Sequence, residues 1–164
     1  MEQKDENSKV IDRFTKEAGY EFLSNFYQST IRFEGILYPT VEHAYQAAKT
    51  IDNKLRKIIR NAATPLEAKK LGRCLQLQND WPDIKVNIMK VLIKEKFQNP
   101  FLGDLLLKTG VMKLVMNNRF NDRFWGVCNG EGDNKIGKIL EEVREELRQE
   151  LLISNNDIQV FKIE

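Results

Sequence analysis

The sequence predicts an α+β fold, a mainly helical single domain carrying a small β-hairpin. Three observations predict it: helix-start signals at Thr40, at Thr64-Pro65-Leu66-Glu67 and at Asp80-Trp81-Pro82-Asp83; a long amphipathic stretch from Ile136; and a short aromatic and β-branched segment over residues 20–38. A chain of 164 residues has the size of one domain. Residues 1–13 are expected to be a flexible, solvated tail and residues 14–164 the folded domain, because the polar start carries little that could offset the entropy of ordering it.

In chain order, Ile31-Arg32-Phe33 and Ile36-Leu37-Tyr38 flank Glu34-Gly35 and read as a hairpin. Thr40 stands where an N-cap would, ahead of the helix formers Val41-Glu42-His43-Ala44-Tyr45-Gln46-Ala47-Ala48-Lys49. Thr64 caps a second helix, with Pro65 at its first position and Glu67 three after the cap, ending near Gly72. Asp80 starts a third, in which Ile84, Ile88, Val91, Leu92 and Phe97 are expected to face one core as far as about Gln98. Residues 101–107 make a short helix that stops at Thr109-Gly110, and Lys113-Leu114-Val115-Met116 reads as a strand. Residues 117–134 are too polar and irregular for a core element. The last helix sets Ile136, Leu140, Val143, Leu147 and Leu151 on one stripe; Asn155-Asn156 is expected to break it, with residues 158–163 returning as a strand.

Composition narrows the class of function. With 26 basic and 24 acidic residues the chain has no strong field of either sign, so any nucleic-acid contact is local. Two cysteines, Cys74 and Cys128, fit a reduced, cytoplasmic setting better than a disulfide scaffold. The polar start lacks the apolar stretch of a secretory signal, and no run approaches the roughly 18 apolar residues that cross a bilayer, so no membrane is expected. His43 is the single histidine and reads as a packing or hydrogen-bonding residue. No spacing of a metal centre occurs, so neither metal nor cofactor is expected.

Chemistry-bearing residues fall into two clusters. At about 100° per residue, Glu42, Tyr45, Gln46 and Lys49 share one arc of the first helix, while Val41, Ala44 and Ala48 share another. The apolar side would dock and the polar side would present an acid, a phenol and an amine; the alternative is an ordinary solvated face. In the second cluster, Asn121-Asp122-Arg123-Phe124-Trp125-Gly126 with Gly130, Gly132 and Asn134, a carboxylate and an indole precede glycines and a helix start. That composition suits a nucleotide, since an indole stacks on bases and backbone amides at glycines approach phosphate. Trp125 serves equally well as a core plug, and Trp81 as a helix-start staple or a pocket wall.

Ser24-Asn25-Phe26, Glu42-His43-Ala44-Tyr45-Gln46-Ala47-Ala48-Lys49 and Asp122-Arg123-Phe124-Trp125-Gly126, in that order, resemble the NADAR, or YbiA-like, domain. Ala68-Lys69-Lys70-Leu71-Gly72-Arg73, Asp80-Trp81, Lys96-Phe97, Leu106-Leu107-Lys108-Thr109-Gly110 and Gly132-Asp133-Asn134-Lys135-Ile136-Gly137-Lys138-Ile139-Leu140 extend the resemblance over residues 20–148. Met116 departs from it, standing where the family often has Glu.

The resemblance implies a YbiA-like fold and an N-glycosidase acting where ribose C1 meets an exocyclic amine. The resemblance fits two substrates, ADP-ribose linked to guanine, with nucleic acid as carrier, which is the one expected here, and, as the alternative, the ribosylamino-pyrimidine phosphates of early riboflavin synthesis. Non-enzymatic alternatives are a module that binds ADP-ribose uncut and a structural adaptor. Glu42, Lys49 and Asp122 are the expected catalytic residues, and Asn25, Phe26, Tyr45, Gln46, Trp81, Trp125, Gly126 and Asn134 the expected substrate contacts, with Arg119, Arg123 and Lys135 placed to receive phosphates. Lys49, neutral through burial, is expected to attack C1 while Glu42 and Asp122 carry protons; in the simpler alternative a carboxylate activates water and Lys49 holds a phosphate or hydroxyl.

Overall fold

The computed structural model describes residues 10–160, with side chains described as far as residue 154. Its elements in chain order are β1 (Val10–Ile11), a 3-10 turn (Glu21–Leu23), β2 (Ile31–Phe33), β3 (Ile36–Tyr38), α1 (Val41–Ala47), α2 (Asn53–Arg60), α3 (Pro65–Arg73), α4 (Trp81–Phe97), α5 (Pro100–Lys108), β4 (Lys113–Leu114) and α6 (Lys135–Val160). The fold class is α+β, as the sequence predicts. Contacts divide the chain into two compact units, one formed by Phe14–Asn99 and one by the chain from Pro100 onward with the N-terminal segment ending at Arg13.

In the unit Phe14–Asn99, β2 and β3 form the expected antiparallel hairpin, pairing Ile31 with Tyr38 and Phe33 with Ile36. Both turn residues, Glu34 (φ 48°) and Gly35 (φ 77°), are left-handed, the backbone that a tight two-residue connection between twisted strands requires. Thr40 caps α1 by accepting the His43 amide at 3.2 Å. Thr64 likewise accepts the Glu67 amide at 3.1 Å, while Glu67 reaches back to the Ala63 amide at 2.7 Å.

Helix α2 is absent from the sequence reading. Its start signal is Asp52, which accepts the Lys54 and Leu55 amides at 2.7 and 3.3 Å, but of its apolar residues only Ile59 is buried, so no core stripe announces it. The core face of α4 also differs from expectation. Trp81, Met89, Leu92, Ile93, Lys96 and Phe97 are buried, whereas Val91 is 46% exposed and Ile84 and Ile88 are only half-buried. The observed set keeps the i, i+3/i+4, i+7/i+8 spacing; Val91 lies about 200° round from Met89. Helix α1 sits at the centre, packed by α2, α3, α4 and the hairpin, with all seven residues buried.

In the second unit, β1 pairs in parallel with β4, Val10 beside Lys113 and Ile11 beside Leu114. Val10 and Ile11 belong to the segment expected to be tail; burial of Ile11 and its carbonyl, which accepts the Val115 amide at 2.9 Å, hold them. Residues 1–9 of that segment lie outside the described residues. Strand β4 is two residues long rather than four. Helix α6 does not break at Asn155-Asn156 but runs on to Val160, because asparagine costs a helix only some tenths of a kcal/mol per residue and terminates it only where the chain turns left-handed. The expected strand over residues 158–163 is therefore helical to residue 160, and its remainder lies outside the described residues. The apolar stripe of α6 is buried at Ile136, Ile139, Leu140 and Val143, half-buried at Leu147 and exposed at Leu151.

Candidate functional site

The sequence expects α1 to dock one face and open the other; the structure buries both. Glu42 is 5% exposed, and Tyr45 and Gln46 are buried beside it. Three of the four polar residues of the arc lie in α1, while Lys49 follows the Ala48 C-cap, half-buried, its Nζ 5.6 Å from the Tyr45 ring centroid. Gln46 donates from Nε2 to Glu42 Oε1 at 2.7 Å. Trp81, from the start of α4, packs against Tyr45 with ring centroids 5.2 Å apart and is itself buried.

Burial pushes the Glu42 carboxyl above its ordinary range, against the pull of Lys69, the Gln46 hydrogen bond, Lys49 and His43. Lys49 moves the other way: burial lowers its ammonium, Glu42 raises it, and Lys69 and Arg73 lower it further. Both groups are thus driven toward their uncharged forms, an arrangement characteristic of proton-transfer chemistry.

The segment before the hairpin closes over the start of α1. The Asn25 carbonyl accepts the Glu42 amide at 3.1 Å, and its side chain donates to Met89 Sδ at 3.3 Å. Phe26 is exposed, with Lys69 Nζ 5.8 Å from its ring centroid. His43 has the packing role expected: Nε2 meets the Ala62 carbonyl at 3.2 Å and so carries the proton, leaving Nδ1 to accept from the Thr40 hydroxyl at 2.8 Å.

Sequence reasoning assigned no role to Lys69, Gly72 or Arg73. Their signals were a place in one of the segments that carry the family resemblance and, for Lys69 and Arg73, a four-residue spacing on α3 that faces one way. Gly72 is needed for packing: a Cβ there would lie 1.9 Å from Gln46 Oε1.

The late-loop residues Asp122, Trp125, Gly126 and Asn134 lie in the second unit and assemble there. Asp122 Oδ1 accepts the Trp125 amide at 2.8 Å. Trp125 is half-buried, in edge contact with Phe124. A Cβ on Gly126 would lie 2.2 Å from the Met116 carbonyl, and Met116 Cε closes on the same space, so the residue that departs from the family pattern packs here instead of supplying a carboxylate. Asn134 is buried, left-handed (φ 52°), and both ends of its amide are engaged, Oδ1 by the Met116 amide at 3.0 Å and Nδ2 by the Leu114 carbonyl at 2.8 Å. These two bonds tie its side chain to the backbone on either side of Val115. Of the expected phosphate receivers, Arg123 pairs with Glu131, and Lys135 Nζ stands 5.8 Å from the Phe124 ring centroid. Among the described residues no group of three metal-ligating side chains occurs and no helix is long and apolar enough to cross a membrane.

The chain matches the NADAR domain over residues 13–148. It is similar to N-glycosidase YbiA of Shigella flexneri serotype 5b, 37% identical over 142 residues that cover 84% of this chain and 88% of that protein. A riboflavin biosynthesis protein of Vibrio vulnificus is 38% identical over 140 residues, 83% of this chain and 38% of that longer protein. The NMR structure of the Escherichia coli protein YbiA matches with a TM-score of 0.79 at 36% identity, covering 88% of each chain.

Proposed function

This chain belongs to the NADAR domain family, and on that premise we propose that it is an N-glycosidase cleaving the bond between ribose C1 and an exocyclic amine, with ADP-ribose linked to guanine in nucleic acid as substrate. The observation that carries the reading is the pairing in one unit of a buried carboxyl, Glu42, whose proton is held more tightly than usual, with a half-buried amine, Lys49, whose proton is held less tightly.

An exocyclic amine on C1 lets the ribose open: the C1–O4′ bond breaks, the nitrogen lone pair forms an iminium, and Glu42 gives its proton to O4′. Neutral Lys49 adds to C1, the aminal transfers a proton to the exocyclic nitrogen, and the C1–N bond breaks, releasing the base with its amine intact. Water then hydrolyses the Lys49 Schiff base to free sugar and amine, and Glu42 regains a proton. One carboxyl and one amine of the unit Phe14–Asn99 carry these steps; Asp122, the other expected proton carrier, accepts the Trp125 amide through Oδ1.

The second reading, cleavage of ribosylamino-pyrimidine phosphates, is favoured by the Vibrio vulnificus relative and by the cations Lys69 and Arg73 near Lys49, which suit a phosphate monoester. Parallel incubation with an ADP-ribosylated guanine oligonucleotide and a ribosylamino-pyrimidine phosphate, each with borohydride, tests both. The expected result is free ADP-ribose and, with borohydride, a sugar adduct on Lys49. Turnover without an adduct replaces the amine by direct water attack; tight binding with both substrates intact overturns the enzymatic reading.

A further inference from the structure

Helix α4 carries a lysine that these steps do not use. Lys96 is 2% exposed, and its Nζ lies inside, donating to the Ser24 carbonyl at 2.8 Å with the Tyr27 and Phe97 rings 5.4 and 5.2 Å away. A lysine that only filled space would bury its stem and let the ammonium reach water. Here the head itself is buried, with no ion pair to it among the described residues, and burial alone lowers its pKa to about 7. Charged or neutral, the nitrogen keeps an N–H for the carbonyl, so the contact survives either state.

That contact ends next to Glu42. The Ser24 carbonyl also accepts the Tyr27 amide at 3.1 Å, and the following carbonyl, that of Asn25, accepts the Glu42 amide at 3.1 Å. Met89 holds the Asn25 side chain at 3.3 Å from the same helix. Trp81, Met89 and Lys96 are spaced eight and seven residues apart, which at about 100° per residue sets them within one arc of roughly 80°. One face of α4 therefore grips the Ser24-Asn25 turn, and the turn grips the first turn of α1.

We propose that Lys96 is a positioning residue for Glu42: by holding the Ser24 carbonyl it fixes the peptide whose next carbonyl receives the Glu42 amide, and so sets where the Glu42 carboxyl stands. The positioning is structural; its effect on turnover rests on the reading of Glu42 as the acid.

Lys96→Met keeps the stem and removes the donor, and Lys96→Gln returns a donor one bond shorter. In Lys96→Met the Glu42 amide should exchange its hydrogen about tenfold faster or more, with amides of α5 unchanged. The Glu42 carboxyl titration, followed by carbon NMR, should move. The kcat should fall by about tenfold to a hundredfold, as for a misplaced group, with KM within about twofold, and Lys96→Gln should recover part of both changes. Folded Lys96→Met with wild-type amide exchange, titration and kcat overturns the proposal. In the wild type itself, a Lys96 amino group exchanging at pH 5 as fast as a surface lysine overturns it without any variant. If wild-type protein cleaves neither substrate, the function fails alone, and exchange and titration still decide the role of Lys96.

Discussion

The early helix and the late loop hold the same kinds of side chain, carboxylates, amides and aromatic rings, and use them differently. In the loop, polar side chains turn to the backbone: Asp122 takes the Trp125 amide, Asn118 takes the amides of Phe120 and Asp122, and Asn134 bridges Leu114 and Met116. In the helix, Gln46 turns to another side chain, Glu42, and leaves its own Oε1 without a partner while buried against Gly72. Proton affinity is displaced at Glu42 and Lys49, and the displacement comes from burial. The loop therefore spends its amides and one carboxylate oxygen on nearby peptide groups, whereas burial in the helix unit drives Glu42 and Lys49 toward their uncharged forms.

The most direct way to break this contrast is Glu42→Gln. An amide keeps the shape and still accepts from Gln46 but carries no transferable proton, so kcat should fall by about 10²–10⁴ with the fold intact, read by initial rates beside circular dichroism. The same variant tests the burial argument. The unfolded carboxyl ionises near its ordinary 4.5 while the folded one holds its proton to higher pH. The stability contributed by Glu42 is therefore fully present below pH 4.5 and lost as pH rises through the folded value. Glu42→Gln should gain on wild type in urea unfolding as pH rises above 4.5, and parallel stability curves would remove the carboxyl from the buried position argued for it.

Asn134→Ala comes next and should read in stability. It removes two buried hydrogen bonds, leaves the Leu114 carbonyl and Met116 amide unpaired, and asks alanine to adopt φ 52°. A loss of about 2–4 kcal/mol in the free energy of urea unfolding is expected. A loss below about 1 kcal/mol would mean the loop is held by something other than its amides.

How much of this was legible in the sequence follows from the same contrast. The caps at Thr40 and Thr64 and the Glu34-Gly35 turn were legible because each is a local bargain between a side chain and the nearest peptide groups. The grouping of Glu42, Tyr45 and Gln46 followed from helical angle alone. Burial did not: α1 reads as two-faced, and its polar side is covered by α3 and by the turn at Asn25, partners brought in from elsewhere in the chain. Lys96 stood out only as part of the family resemblance, and what it holds was illegible for the same reason, since the carbonyl it reaches lies 72 residues away. Asn155-Asn156 misled because local preference at a helix position is worth too little to end α6.

The smallest expected effect lies at the rim of the late loop. Arg123 and Glu131 pair where both side chains are exposed, so Coulomb attraction is screened and the entropy of fixing two long side chains opposes it. Glu131→Gln should change stability by less than about 0.5 kcal/mol, and the change should vanish in high salt. The pairing also occupies a guanidinium that the sequence offers to a phosphate, so the variant frees Arg123 at almost no structural cost. If unfolding instead shows a loss above about 1 kcal/mol that persists in salt, the rim pair helps hold the loop as the Asp122 and Asn134 hydrogen bonds do, and Arg123 is not free for a ligand.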